Sequence, residues 1–243
     1  MQFLAKLALV GSAASSLLGA LAAPLNNTIH SRQLAQVVNS CTVPNTVALT
    51  FDDGPYSSGG KATFFVNGNN YGCIYNQDNV KRIKYLHEKG HQLASHTWGH
   101  KNLSTLSWDQ VHDEMWRVEE SLIRIAGVMP AFMRPPFGSY NDNVLAASAN
   151  RGQKVAIWDF DSGDSTGFTP AQSKQRYTDI ANQRPSTILT LNHETYERTA
   201  HEVIPHAISV LQAKGYRFVT LAECLGEEPY QWRTTPASGS WTC

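Results

Sequence analysis

Short apolar runs alternate with amphipathic segments along most of this 243-residue chain. Helical patterns separate most of the apolar runs, and the clearest covers residues 107–126, between a Ser107–Gln110 capping box and Gly127. About seven strands that alternate with helices predict a parallel sheet and an α/β fold, either a barrel or an open sheet. The predicted strands are residues 47–51, 62–66, 91–95, 131–133, 154–159, 187–191 and 217–220.

The connection between the first two predicted strands is unusually short. Residues 52–60 join them, whereas a parallel crossover takes about a dozen residues or more and usually contains a helix. The segment 56–60, Tyr-Ser-Ser-Gly-Gly, does not favour a helix. Either these two strands are not parallel neighbours, or an element is missing from this version of the chain.

The N-terminus resembles a secretory signal over residues 1–22. Lys6 is its single charge, residues 7–21 are apolar or small, and Ala20-Leu21-Ala22 fits a small-x-small cleavage site. Residues 23–40 are polar and unpatterned, so we expect a flexible arm there. In a secreted chain, an even number of cysteines predicts disulfides, here two bonds with three possible pairings. The cysteines are Cys41, Cys73, Cys224 and Cys243.

The net charge is zero and charged residues make up 16% of the chain. This balance gives no argument for a nucleic-acid partner or for an anionic membrane surface. Two sequons, which begin at Asn26 and Asn102, fit export through a glycosylating pathway. We therefore expect a secreted monomer, extracellular or in the cell wall.

Two adjacent carboxylates, Asp52 and Asp53, follow the first predicted strand and precede the turn residues Gly54-Pro55. Neighbouring anions are unfavourable unless a positive group compensates one of them. A divalent metal bound by one, with the other free as a base, would satisfy that requirement. The alternative is a turn with two solvated charges, because turns favour these residue types.

Two histidines, His96 and His100, follow the third predicted strand with a spacing that lets both rings reach one ion. Together with Asp53 they would form a His-His-carboxylate set typical of catalytic zinc. Such a pair in isolation is more often incidental. Between them, Trp98 is a candidate to stack on a ring of a ligand, and equally a candidate for the core.

Three further strand ends carry polar groups. Arg134 begins a stiff Arg-Pro-Pro-Phe-Gly loop that ends at Gly138, and such a loop can aim a backbone N–H at a developing oxyanion. His193 is a candidate general acid, because histidine titrates near neutrality. Taken alone, the Arg134 loop is better explained as a rigid turn with a solvated Arg, and His193 is reasonably explained as a structural histidine in a loop. Of the acidic residues after the fifth strand, we expect one or two to be functional: Asp159, Asp161 and Asp164.

Five motifs, in this order, resemble those of the polysaccharide deacetylases of carbohydrate esterase family 4. The similarity extends over residues 47–226, and residues 67–73 and 223–226 resemble the fungal chitin deacetylases. The motifs are Thr50-Phe-Asp-Asp-Gly-Pro55, His96-Thr-Trp-Gly-His100, Arg134-Pro-Pro-Phe-Gly138, Asp161-Ser-Gly-Asp164 and Leu191-Asn-His193.

The resemblance implies a distorted (β/α) barrel and a role for each motif residue. Zn²⁺, Co²⁺ or another divalent metal would be bound by Asp53, His96 and His100. The general base would be Asp52, oriented by Arg134, and the general acid would be His193, tuned by Asp164. The substrate-binding groups would be the backbone N–H of Phe137, for the oxyanion, and Leu191, which would line the pocket for the acetyl methyl.

The resemblance also sets the expected boundaries and departures. The deacetylase domain would span residues 41–226, with a tail at 227–243. Within such a barrel we expect Cys41 to pair with Cys224, joining its start and end, and Cys73 with Cys243. Ser165 stands where the family usually has an aromatic residue, and Phe137 where it usually has Tyr. The first β-α unit is shorter than in the family.

We therefore expect a secreted zinc hydrolase that removes N-acetyl groups from N-acetylglucosamine units of chitin or chitooligosaccharides. An acetyl-xylan esterase or a peptidoglycan deacetylase would use the same residues. A third hypothesis is a glycan-binding protein without activity, inactivated by the short connection after Tyr56.

Overall fold

Parallel strands form the centre of the computed structural model, which describes residues 33–54 and 61–243. Within those ranges the strands are β1 Val37–Val38, β2 Thr46–Ala48, β3 Thr50–Asp52, β4 Thr63–Val66, β5 Gln92–Ser95, β6 Val128–Pro130, β7 Phe132–Met133, β8 Lys154–Ala156, β9 Phe160–Asp161, β10 Thr187–His193, β11 Arg217–Val219 and β12 Tyr230–Arg233. The helices are α1 Gln77–Glu88, α2 Trp108–Ala126, α3 Asp142–Asn150, α4 Pro170–Gln183, α5 Ile204–Ala213 and α6 Leu221–Leu225. A π-helical turn, Thr199–Val203, precedes α5.

The main sheet has the strand order β1-β8-β7-β5-β4-β3-β10-β2-β11, and β9 pairs with β10. All of its described pairings are parallel. The predicted α/β fold with a parallel sheet is therefore confirmed. Parallel strands are buried on both faces, and here the neighbours Phe64 and Phe65 belong to core clusters on opposite faces.

The first predicted strand, 47–51, is split at Leu49 into β2 and β3, which both pair with β10. The hydroxyl of Thr190 lies at the break, where it accepts the N–H of Thr50 at 3.2 Å and donates to the carbonyl of Ala48 at 3.4 Å. A side chain thus provides the hydrogen bonds that a regular ladder would have made. The break leaves Asp52 at the end of β3 level with His193 on β10.

The short connection joins two strands that do pair in parallel, with Thr50 opposite Thr63 and Asp52 opposite Phe65. The alternative in which they are not neighbours is therefore wrong. Residues 53–62 lie between β3 and β4. These ten residues reach at most about 36 Å when extended, whereas the register needs a return of only about 7 Å along the strand and about 5 Å sideways. Residues 55–60 themselves, including the segment 56–60 discussed above, lie outside the described residues.

Helix α2 begins and ends as its sequence predicts. Ser107 and Gln110 form a reciprocal capping box, and Gly127 ends the helix with a φ of 69°. Residue Trp98, on the loop after β5, is 6% exposed and belongs to the main core cluster. The core assignment for Trp98 is therefore correct, and sugar stacking by this residue is excluded.

Both predicted disulfides are present, Cys41–Cys224 and Cys73–Cys243. Residues on either side of the expected 41–226 domain also contribute strands. In the expected arm, β1 pairs with β8, and in the expected tail, β12 pairs antiparallel with β6. The predicted signal, residues 1–22, and the sequon at Asn26 lie outside the described residues. In the part of the chain that is described, we find no helix long and apolar enough to cross a membrane.

We predict that Gly68→Ala destabilises the protein by about 1–3 kcal/mol, because overpacking in a filled core has that cost. A Cβ at Gly68 would lie 1.9 Å from Cε3 of Trp98, so the indole would have to move. Urea unfolding measures the difference. Gly72→Ala is the matched control, since its Cβ would meet its nearest neighbour at 3.6 Å. Equal stability of both variants would contradict the packing argument.

Candidate active site

The carboxyl ends of β3, β5, β7, β9 and β10 surround a cavity of about 400 Å³. Active sites of α/β proteins lie at this edge of the sheet. The lining residues are Asp52, Asp53, Tyr71, His96, His100, Phe137, Gly138, Trp158, Asp161, Ser165, Thr166, Leu191, His193 and Tyr196.

A buried ion pair forms the floor of the site. Arg134 is fully buried, and its Nη1 donates to Asp52 Oδ1 at 2.8 Å and to Thr50 Oγ1 at 2.6 Å. Its Nε and Nη2 donate to the carbonyls of Ala156 and Ile157 at 3.2 and 2.8 Å. Burial alone would raise the pKa of Asp52, but the charges of Arg134 and two histidines outweigh burial and lower it. Asp52 is therefore ionised, and Arg134 occupies one of its two oxygens.

Beside this pair, Asp53, His96 and His100 converge. Asp53 Oδ1 lies 3.6 Å from His96 Nε2 and 3.2 Å from His100 Nε2. Among the residues that the structure describes, these three form the one group of potential metal ligands whose atoms lie within 4.8 Å of one another. The triad is the one that the sequence predicts.

The two histidines turn their Nε2 atoms towards Asp53. The Nδ1 of His96 lies 2.8 Å from the carbonyl of Arg134, which is an acceptor, so Nδ1 donates and Nε2 is the nitrogen on the side of Asp53. Burial lowers the pKa of His100, which favours its neutral, metal-binding form. Two imidazoles and one carboxylate fit a divalent ion such as zinc.

Asparagine side chains fix the two loops that carry the triad. Asn67 Nδ2 donates to the carbonyls of His96 and Thr97 at 2.5 and 3.0 Å. Asn70 Nδ2 lies 3.4 Å from Asp53 Oδ1, at the long end for a hydrogen bond. These contacts link the loop after β4 to both sides of the triad.

Across the cavity, His193 is paired with Asp164. Its Nδ1 lies 2.8 Å from Asp164 Oδ1, and its backbone N–H donates to Asp164 Oδ2 at 2.6 Å. Thr199 Oγ1 also donates to Oδ2, at 3.0 Å. Burial alone would lower the pKa of His193, but the hydrogen bond to Asp164 and the charges of Asp52, Asp164 and Asp53 raise it to about 9. The His193 ring is therefore protonated at neutral pH.

The rim of the cavity is aromatic. Tyr71 is 65% exposed and Phe137 is 69% exposed. Phe137 has a φ of 62°, a left-handed conformation that non-glycine residues rarely adopt, and its ring packs edge-on against His100 at 4.8 Å between centroids. Exposed rings beside a polar cavity suit sugar rings, which have apolar faces and polar edges.

The structure brings together all nine residues singled out from the sequence. Seven line the cavity, and the other two, Arg134 and Asp164, hold Asp52 and His193 from behind. The other carboxylates near the fifth strand have local partners: Asp159 accepts the N–H of Leu189, and Asp161 accepts that of Gly163, each at 2.7 Å.

Four further residues shape the site, although no role was predicted for them. Thr50 bonds Arg134, while Tyr71, Trp158 and Tyr196 line the cavity. Three of them lie in segments that the sequence does mark: Thr50 opens the first motif, Tyr71 lies in residues 67–73, and Trp158 lies at the end of the predicted strand 154–159. No such signal marked Tyr196, which lies in a loop.

Known proteins resemble this chain in sequence. The family model for polysaccharide deacetylase matches residues 39–156. A chitin deacetylase of Pestalotiopsis sp is 34% identical over 231 residues, which cover 88% of this chain and 74% of that protein. A probable peptidoglycan-N-acetylglucosamine deacetylase of Arthroderma benhamiae is 36% identical over 217 residues, 83% of this chain and 49% of that protein.

A solved structure is also similar over most of its length. The chitin deacetylase from the fungal pathogen Colletotrichum lindemuthianum matches with a TM-score of 0.76 and 31% identity, over 83% of this chain and 96% of that structure. The family model, the sequence identities and the shared fold show that the chain belongs to the polysaccharide deacetylase family, carbohydrate esterase family 4.

Proposed function

We propose that this chain is a secreted, metal-dependent hydrolase that removes N-acetyl groups from N-acetylglucosamine units of chitin or chitooligosaccharides. The observation that carries the proposal is the arrangement of a base and an acid around one cavity. Asp52, whose pKa is lowered, lies next to the candidate metal ligands, and His193, whose pKa is raised, lies level with Asp52 on the neighbouring strand. Amide hydrolysis needs such a base and such an acid.

Asp53, His96 and His100 would bind the divalent ion, Zn²⁺ or Co²⁺ or another. Bound there, it would lower the pKa of the attacking water and polarise the acetyl carbonyl. Asp52 accepts the proton of that water. Since Arg134 holds Oδ1 at 2.8 Å, the acceptor is Oδ2, which lies 3.7 Å from His96 Nε2 on the side of the triad.

The acid comes from β10, and the oxyanion donor from the loop after β7. His193 gives its proton to the leaving amine, and Asp164 orients the ring through Nδ1. The left-handed backbone at Phe137 supports the proposal that its N–H donates to the oxyanion. Leu191 and Trp158 add apolar surface to the cavity, which suits the acetyl methyl.

The proposed location is extracellular, in the medium or the cell wall. Residues 1–22 have the pattern of a secretory signal, and two disulfides are typical of an oxidising compartment. We assign the catalytic domain to residues 41–226. Strands β1 and β12, which lie outside these bounds, pair with strands of the domain. We further propose that it acts as a monomer, without nucleic-acid or membrane partners.

We predict that the purified protein releases acetate from N-acetylglucosamine oligomers, and that a chelator abolishes the release. Asp52→Asn should lower turnover by about 10²–10⁴-fold, the usual contribution of a general base, while divalent metal still binds. Acetate assay and metal titration measure the two effects. Turnover by Asp52→Asn close to that of the unsubstituted protein would overturn the assignment of the base.

Peptidoglycan is the second candidate substrate, favoured by the similarity to the Arthroderma benhamiae relative. Acetate release from chitin oligomers, peptidoglycan and acetylated xylan, compared at equal enzyme concentration, separates the three substrate classes. Binding of sugar without acetate release from any of them would instead favour a glycan-binding protein.

The pH profile provides a further prediction. The general acid must be protonated, so kcat/KM should fall as the pH rises through the pKa of His193, which is raised to about 9. The charge of Asp53 contributes to the raised pKa of His193. A cation bound by Asp53 would offset that contribution, so the alkaline limb should lie at or below about pH 9. The general base must be ionised, so activity should fall in acid, as the pH drops to the lowered pKa of Asp52.

Asp164→Asn tests the cause of this limb. The substitution removes one of the charges that raise the pKa of His193 and weakens the hydrogen bond to its ring, so the alkaline limb should move to lower pH. Asp161→Asn is the matched control, because that carboxylate bonds Gly163 rather than His193. An unmoved limb in Asp164→Asn, or an equal shift in both variants, would contradict the role of Asp164.

A further inference from the structure

A charged side chain lies in the core-facing stripe of α2. Glu114 is 1% exposed and lies between the buried apolar residues Val111 and Val118 along that face. Carboxylates are almost never fully buried without partners. The partners of Glu114 come from the loop that contains His96 and His100.

Glu114 contacts three residues of this loop after Thr97: Trp98, Gly99 and Lys101. Its Oε2 accepts the backbone N–H of Gly99 at 2.7 Å, and its own carbonyl accepts the N–H of Trp98 at 2.7 Å. The ammonium group of Lys101 lies 2.7 Å from Oε1 at the surface of the protein. Helix α2 is therefore hydrogen-bonded to the segment that connects the two histidines.

This loop needs such support because its backbone is unfavourable by itself. Thr97 and His100 have φ values of 72° and 54°, in the left-handed region that non-glycine residues avoid. Residues persist there when their surroundings fix them. Arg117, one turn after Glu114, stacks on the ring of Trp98 with its guanidinium carbon 3.8 Å from the centroid.

We propose that Glu114 is a positioning residue for the metal centre, resting on the function proposed above. Its bond to Gly99 fixes the residue next to His100, and so holds His100 Nε2 at 3.2 Å from Asp53 Oδ1. A carboxylate suits this role better than an amide, since an ionised acceptor makes a hydrogen bond about twice as strong. Lys101 compensates the buried charge.

The same helix offers a matched control. Glu119 is also fully buried, but it bonds Arg151 and Gln153 on the other side of α2. Substitution of either glutamate removes a buried carboxylate from one helix. The two carboxylates differ in the segment that they bond. A general loss of stability should therefore appear in both variants, whereas a loss of metal affinity should appear only in the Glu114 variants.

The test is the dissociation constant of Zn²⁺, measured by competition with a chelating dye, together with the absorption spectrum of bound Co²⁺. Glu114→Ala should bind Zn²⁺ about 10–100-fold more weakly, the usual effect of losing a partner behind the ligands. Glu114→Gln keeps an acceptor oxygen, so it should lose less affinity than Glu114→Ala. Its affinity for Zn²⁺ should be several-fold lower than that of the unsubstituted protein. Glu119→Gln should bind as the unsubstituted protein does, with its Co²⁺ spectrum unchanged.

Each outcome decides the proposal. If Glu114→Ala does not fold, Glu114→Gln is decisive, and a dissociation constant within about twofold of that of the unsubstituted protein would overturn the inference. Equal losses in the Glu114 and Glu119 variants would also overturn it, because the effect would then be general. If the unsubstituted protein binds no divalent ion, the metal centre itself is wrong and the inference fails with it.

Discussion

The buried ion pair between Arg134 and Asp52 is the interaction on which the site depends. Every donor nitrogen of the guanidinium has a partner, on Asp52, Thr50 or the carbonyls that end β8, so one side chain ties β3 to the strands across the sheet. Removing one partner of a buried pair costs about 3–5 kcal/mol, because the other charge is left uncompensated. The same pair keeps Asp52 ionised. Stability and the proposed chemistry therefore rest on the same contact.

Unfavourable backbone conformations are concentrated around this pair. Six non-glycine residues in the described ranges have positive φ, and four of them belong to the site segments: Asp53, Thr97, His100 and Phe137. Each such conformation costs on the order of 1 kcal/mol or more, and persists only when its surroundings impose it. Asn67 provides that constraint for Thr97 from one side, and α2 provides it from the other. The sheet and the helices thus hold four strained residues, which lie in three loops of the site.

The sequence predicts the fold class and the convergence of Asp53, His96 and His100, because both follow from local patterns. Apolar runs and capping residues locate strands and helices, and polar residues after strands locate the site. The features that the sequence does not predict depend on contacts between distant residues.

The break at Leu49 is one such feature, because the Thr190 hydroxyl that makes the hydrogen bonds there belongs to another strand. The parallel pairing of β3 and β4 across a short connection contradicts a rule based on average crossover length. Strands of two residues, such as β1, carry no pattern at all.

The disulfide between Cys73 and Cys243 has a consequence for the order of events during biosynthesis. It joins residues 170 positions apart, and Cys73 ends the loop whose asparagines hold the triad. His193, which pairs in register with Asp52, is likewise made long after it. A growing chain therefore contains Asp53, His96 and His100 before His193 and Cys243 have been made. The chemistry proposed above needs the first of these later residues and the disulfide needs the second, so both depend on the C-terminal third of the chain.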